Sequence, residues 1–291
     1  MARVLVAGCG YVGSELARRL AGDGHVVYGL RRSVGPLPPG VQGIAADLCD
    51  RAALRAALAE VEHGGIDAVV YAAAADRADD QAYRRAYVEG LGNVLAWADA
   101  QGMRPPRVFF TSSTAVYGQQ DGEWVDEDSP TEPTHFSGDR MLEAERQLAA
   151  AGGTALRLGG IYGPGRTRLI EGVRAGRATI RSGPPHWTNR IHRDDAAGAL
   201  RHLIGRALAG AALDPVYVGV DDEPADDAEV LRWLAQRLGA PPPATADENE
   251  PARGRGGNKR CRNARLRASG YRFTYPSFRE GYGALIDAGG R

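Results

Sequence analysis

Six residues near the start of the chain, Gly8-Cys9-Gly10-Tyr11-Val12-Gly13, constrain its fold more than any other stretch. A short apolar run, Val4 to Ala7, precedes them, and Val12, Leu16 and Leu20 recur at helical spacing behind them. A strand that turns sharply into a helix needs glycines at this G-x-G-x-x-G spacing. The first allows the turn, the second lets a pyrophosphate approach the backbone, and the third lets helix and strand pack closely. The helix N-terminus then aims its unpaired N–H groups at the phosphates. The pattern therefore predicts a dinucleotide-binding strand–turn–helix; the alternative is a glycine-rich turn without a ligand.

Further strands are predicted at His25–Leu30, Gly43–Ala46, Asp67–Tyr71, Val108–Thr111 and Thr154–Leu158. Helical patterns fall between them at Arg51–Glu60, Asp79–Ala100 and Ser137–Ala151. This alternation reads as βαβ units with right-handed crossovers, hence an α/β, doubly wound parallel sheet of Rossmann-like type. Ligands of such sheets lie at the carboxyl ends of the strands. Gly8–Gly13, Arg31, Asp47, the small residues Ala72–Ala74, and Ser112–Ser113 all fall there. No Asp or Glu lies between Gly24 and Asp47, while Arg31 and Arg32 end the second strand. Arginine there suits the 2′-phosphate of NADP, and an acidic residue would suit the ribose of NAD. NADP is the expected cofactor, with NAD as the alternative. Asp47 and Leu48 are placed for its adenine side.

Lys+Arg and Asp+Glu both total 36 in 291 residues, so the net charge is zero. This argues against a nucleic-acid footprint and a polybasic membrane anchor. No apolar run approaches the ~18 residues of a membrane span. Cys9, Cys49 and Cys261 show neither pairing nor metal-ligand spacing, so no metal is expected. The first strand begins almost at Met1, and a reduced, cytoplasmic compartment is the expectation. Residues 119–135 form an acidic, turn-rich excursion placed as a lid. Helices are read at Arg168–Arg177 and at Asp194–Ala209, where Asp194 and Asp195 suit the helix dipole. Pro241–Gly257 is read as the least structured stretch. The basic run Lys259–Arg267 then offers either a contact for an anionic substrate, with Arg260 as its candidate, or a solvated helix face.

Four motifs now stand in order: the glycine turn, Thr111-Ser112-Ser113-Thr114-Ala115-Val116-Tyr117-Gly118, Leu156-Arg157-Leu158-Gly159-Gly160-Ile161-Tyr162-Gly163-Pro164-Gly165, and Asn189-Arg190-Ile191-His192-Arg193-Asp194-Asp195. With them the sequence resembles the extended and atypical branches of the short-chain dehydrogenase/reductase superfamily, of the nucleoside-diphosphate-sugar epimerase/dehydratase type, over nearly its whole length. The resemblance implies a seven-stranded Rossmann-like domain of residues 1–165, rejoined by 190–220 with Val216–Gly219 as the returning strand. A small substrate domain would comprise 166–189 and 221–291. It also implies a homodimer through helices 79–100 and 138–151. The implied cofactor residues are Gly8, Cys9, Gly10, Tyr11, Val12, Gly13, Arg31, Arg32, Asp47, Leu48, Ala72, Ala73, Ala74, Thr111, Arg140 and Gly160. Substrate contacts would come from Ser112, Ser113, Tyr162, Arg190, His192 and Arg260.

Family members use a Ser, and a Tyr and Lys in Y-x-x-x-K, to move a proton while nicotinamide exchanges a hydride. Ser113 falls on the serine position. The segment for the other two reads His135-Phe136-Ser137-Gly138-Asp139-Arg140, which puts Phe136 on the Tyr and Arg140 on the Lys. Tyr87 replaces the family's Asn. Phe has no exchangeable proton. Arg140 stays protonated, although it can still donate to ribose hydroxyls. His135, Tyr117, Tyr162, Tyr87 and His192 are the substitute proton donors to consider. The chain then reads either as an NADP(H)-dependent oxidoreductase or epimerase acting on a small polar or nucleotide-linked substrate, or as a non-catalytic NADP(H)-binding sensor of the same fold.

Overall fold

The computed structural model describes residues 1–33, 35–62, 65–101, 105–245 and 257–289. Two compact units emerge. The first comprises Met1–Val116, Pro133–Arg157 and Ala196–Tyr217, and the second Tyr117–Glu132, Leu158–Asp195 and Val218–Arg291. Residues 117–132 and 158–165 thus group with the second unit, against the expected boundary at 165.

The seven strands of the central sheet are β1 (Arg3–Ala7), β2 (Val26–Arg31), β3 (Val41–Ala45), β4 (Ala68–Tyr71), β5 (Arg107–Ser113), β6 (Thr154–Leu158) and β7 (Val216–Gly219). The sheet is parallel, with order β7-β6-β5-β4-β1-β2-β3. Val4, Leu5, Val6 and Ala7 are buried, as is all of β4. Strands buried on both faces must be apolar throughout, which is why they lack alternation in the sequence. The order reverses between β1 and β4, where open α/β sheets hold ligands. The expected return strand Val216–Gly219 forms as β7.

The helices of this layer are α1 (Tyr11–Gly22), α2 (Arg51–Glu62), α3 (Gly90–Asp99), α4 (Phe136–Ala150) and α5 (Arg193–Leu208). The predicted helix 79–100 is not uniform: a short helix, Asp80–Tyr83, leads into a π-helical stretch, Arg84–Glu89, before α3. Tyr71 explains the irregularity. Its hydroxyl donates to the Ala86 carbonyl and lies against Gly90, so a side chain enters the helical ladder. No helix among the described residues is long and apolar enough to cross a membrane.

The second unit packs around Ile170, Val173, Leu231, Leu234, Phe278 and Tyr282. Its strands are short: Glu123–Val125 pairs with Lys259–Cys261, Gly160–Tyr162 with Arg190–His192, and Trp187–Thr188 with Ala225–Asp226. Three expectations change here. The acidic excursion 119–135 contains a strand. The basic run starts as the strand paired with it and becomes helical only over Ala264–Ala268. The helix that begins at Arg168 ends at Arg174 rather than Arg177. Within Pro241–Gly257, residues 246–256 lie outside the described residues. Asp195 lies in the first turn of α5 but is fully buried, accepting bonds from the Tyr271 hydroxyl and the Thr274 and Tyr275 amides, each 2.8 Å. That carboxylate is an anchor for residues 271–275 as well as a dipole partner.

Candidate active site

The three glycines of the opening turn differ in what surrounds them. Gly8 has φ +95°, and a Cβ there would sit 2.2 Å from the Ala73 nitrogen. A Cβ on Gly13 would sit 2.3 Å from the Gly8 carbonyl oxygen. Both positions are closed by the protein's own backbone. Gly10 is the opposite case: a Cβ would meet nothing within 4 Å. The turn is held by the Gly8 and Cys9 amides, which donate to the Leu30 carbonyl at 2.9 and 3.1 Å. Helix α1 has no side-chain cap, and its first internal bond runs from the Ser14 amide to the Gly10 carbonyl at 2.8 Å. Helix geometry leaves the amides before Ser14 without intrahelical acceptors. Cys9 is buried, and burial raises its thiol pKa, so it fills space rather than reacting.

At the end of β2, Arg31 is half-buried. Its Nη2 donates to the Pro36 carbonyl at 2.6 Å, and its Nε has no hydrogen-bond partner among the described residues. Arg32 is exposed and pairs with Asp76 at 3.1 Å. Asp47 accepts from the Cys49 amide at 2.9 Å and lies 3.5 Å from Arg85. Leu48 is buried, and its carbonyl accepts from Asn93 at 3.0 Å. The Ala72 amide continues the ladder to Ala7 at 2.8 Å, which brings Ala72 and Ala73 under the Gly8 turn. Thr111 donates to the Tyr71 carbonyl at 3.2 Å.

Ser112 and Ser113 point to opposite faces of β5, as strand geometry requires. Ser112 is buried and donates to Glu145 at 2.5 Å; Arg157 grips the same carboxylate at 2.7 Å. Its hydroxyl is therefore committed to an internal ion pair and is not brought to the strand-end cluster. Ser113 Oγ accepts from the Ala115 amide at 3.1 Å, which orients the hydroxyl and leaves its proton to donate. Phe136 opens α4 with its ring edge-on to Tyr83, 5.4 Å between centroids, and 4.1 Å from the His135 ring. His135 caps α4: its Nδ1 accepts from the Ser137 amide at 3.3 Å. An Nδ1 that accepts places the neutral ring's proton on Nε2. Arg140 is a double fork to Asp80, at 2.8 and 2.9 Å, and also meets Glu143 at 2.8 Å. The Asp80 and Glu143 bonds raise its pKa further. Tyr87 is buried, accepts from the Ala75 amide at 3.4 Å, and its pKa is pushed up by burial.

The second unit holds the remaining candidates. Tyr117 is 2% exposed and donates to the Asp126 carbonyl at 2.7 Å, so its hydroxyl serves the 117–132 segment. The Gly160 amide donates to Asn189 at 2.9 Å. His192 is buried; its Nδ1 accepts from the Asp194 amide at 3.2 Å, and its ring lies 4.0 Å from that of Tyr275. Tyr162 and Arg190 are buried beside Asp221, a residue the sequence reading did not select. Tyr162 Oη, Arg190 Nη1 and Asp221 Oδ2 all lack a hydrogen-bond partner among the described residues. Burial drives Asp221 up to about 8, against the pull of the Arg190 charge. Burial, then the Asp221 charge, pushes Tyr162 well above the phenol range. The only sequence signal for Asp221 is its place directly after the apolar run 216–220, and burial cannot be read from that.

Comparison with known proteins bears on this arrangement. A family model described as the NAD dependent epimerase/dehydratase family matches residues 4–210. The chain belongs to that family. Among curated relatives, the 3-diazoavenalumate denitrifying reductase of a Streptomyces species is 32% identical, with 97% of this chain and 99% of that protein covered. A solved chain from Methylobacillus flagellatus, described as an NAD-dependent epimerase/dehydratase, is 43% identical with a TM-score of 0.81, covering 100% of this chain and 99% of that one. The UDP-glucose 4-epimerase of Thermus thermophilus, solved in complex with NAD, is 24% identical with a TM-score of 0.79, covering 98% of each chain, and shares the fold. The family and its reductase relative support an NAD(P)-dependent oxidoreductase- or epimerase-like function.

Proposed function

We propose that this chain is an NADP(H)-dependent oxidoreductase acting on a small polar or nucleotide-linked substrate, with a proton route that does not pass through position 136. The observation that carries the reading is Gly10. Backbone contacts demand glycine at positions 8 and 13, but none of the described residues demands it at 10, so the open space there suits a diphosphate. The N-terminal amides of α1 would hold that diphosphate, the Arg31 guanidinium a 2′-phosphate, and Asp47 with Leu48 the adenine. Bound nicotinamide supplies the hydride donor or acceptor. Ser113 would donate its hydroxyl proton as a hydrogen bond to the substrate oxygen, favouring negative charge there. His135, acting through Nε2 from its imidazolium form, is the proton donor we assign in place of the absent phenol. Arg140, gripped by Asp80 and Glu143, would fix α4 against the helix Asp80–Tyr83.

The non-catalytic reading draws on Phe136 and on the committed guanidinium of Arg140, and turnover decides between the two. The test of the cofactor site is Gly10→Ala beside Gly13→Ala, with NADPH titrated by fluorescence. Gly10→Ala is expected to cost only about 1 kcal/mol of stability at a helix start, yet to weaken NADPH binding by about tenfold or more. Gly13→Ala is expected to destabilise the fold itself. Unchanged NADPH affinity in Gly10→Ala would remove the reading.

A further inference from the structure

The second unit carries a basic cluster whose geometry differs from an ordinary solvated face. Lys259–Cys261 pairs in parallel with Glu123–Val125, with Arg260 directly opposite Trp124. The Arg260 guanidinium lies over two indoles, 4.9 Å from the ring centre of Trp124 and 4.9 Å from that of Trp187. Its Nε donates to the Gly122 carbonyl at 2.7 Å. Gly122 has φ +79°, and a Cβ there would press 3.0 Å from the Trp187 ring, so the turn is shaped around that indole. Arg262, two residues on and therefore on the same strand face, also lies over Trp124 at 4.9 Å. Trp124 remains 46% exposed.

Neighbouring arginines of the same unit are neutralised. Arg265 is held by both oxygens of Asp128 at 2.8 Å, Arg267 by Asp222, and Arg279 by Glu223 and Glu229. Arg260 and Arg262 have no carboxylate partner among the described residues. A planar cation fixed by two rings and by its Nε keeps only its Nη edge for a ligand, and it has already lost most of its side-chain freedom. That is the preorganised fork that recognises planar or tetrahedral oxyanions in a bidentate manner.

We propose that Arg260 and Arg262, held on Trp124 and Trp187, form an oxyanion-binding site that takes the carboxylate or phosphate group of the substrate. Calling the ligand the substrate rests on the oxidoreductase reading above; the anion site itself does not. The experiment titrates inorganic phosphate, and separately acetate, into the full chain. Indole fluorescence and calorimetry report binding, and NADPH affinity is measured alongside. With NADPH occupying the site at α1 and Arg31, the expected result is saturable binding of one probe at a single further site. Arg260→Lys, which keeps the charge but loses the fork, and the exposed-site variant Arg262→Gln are each expected to weaken binding by about tenfold. NADPH affinity should stay within about twofold. The probe that binds more tightly identifies a phosphate or a carboxylate ligand. No saturable binding of either probe, or undiminished binding in both folded variants, overturns the proposal. Anion binding in a chain that binds no NADPH would instead remove the cofactor reading and leave this site standing.

Discussion

Replacing Asp221 by Asn should remove one titration that couples the stability of this protein to pH over much of the neutral range. Asp221 is 1% exposed, and burial lifts its carboxyl from 3.8 to about 8. The folded state therefore keeps a proton that the unfolded chain releases near pH 4. A raised carboxyl pKa makes stability fall as pH rises from the unfolded to the folded value, and level off above it. The slope is about 1.4 kcal/mol per pH unit for one proton, so the wild type loses about 2.7 kcal/mol between pH 5 and 7 through this group alone. Asn resembles the protonated acid. Its oxygen can still accept from the Glu223 amide, which lies 3.3 Å from Asp221 Oδ1.

Urea unfolding of both proteins at half-unit steps from pH 5 to 7.5 measures the difference. Asp221→Asn should gain on the wild type steadily, by about 2.7 kcal/mol over the first two units. Arg190→Met supplies a second arm. It removes the charge that pulls the carboxyl down, so the declining limb should extend to higher pH. Parallel curves for wild type and Asp221→Asn would place the titration in the ordinary carboxylate range and refute the reasoning.

Other outcomes are expected. Arg31→Ala should weaken NADPH by about tenfold, the scale of one charge-assisted bond, while leaving NADH unchanged; an equal loss for both would remove the 2′-phosphate role. Ser113→Ala should lower kcat by about a hundredfold with NADPH affinity preserved, and turnover equal to wild type would end the serine assignment. Glu145→Gln keeps a bond to Ser112 but leaves Arg157 buried without its counter-ion, and chemical denaturation should show a loss of about 3–5 kcal/mol.

The parts legible in the sequence are those decided by neighbours along the chain. Gly8 is imposed by its φ of +95° in the turn and Gly13 by the Gly8 carbonyl five residues before it, and the apolar runs of β1, β4 and β7 are long enough to announce buried parallel strands. Other features depend on partners distant in sequence. Arg140 is spent on Asp80, sixty residues away. The basic run became a strand because Glu123–Val125 is its partner, and single-chain periodicity carries no trace of that pairing. Ser112 looked equivalent to Ser113 until strand alternation assigned one to the ion pair and the other to the strand end. The π-helical stretch follows from a hydroxyl on Tyr71, which belongs to another element.

Phe136 and Arg140 gain meaning from these distant contacts. The resemblance puts a Tyr and a Lys at these two positions. Instead Phe136 is packed edge-on against Tyr83, and Arg140 forks onto Asp80 of the same short helix. Both replacements bind α4 to one segment, Asp80–Tyr83, through an aromatic contact and a bidentate ion pair. The segment on which the resemblance puts the Tyr and Lys is here a joint. The glycine turn answers to backbone geometry and not to α4, so it stays intact under that change. Under the proposed function, cofactor binding and proton transfer are thus separable, and His135, one residue away, would take over the proton with no rebuilding of the nucleotide site.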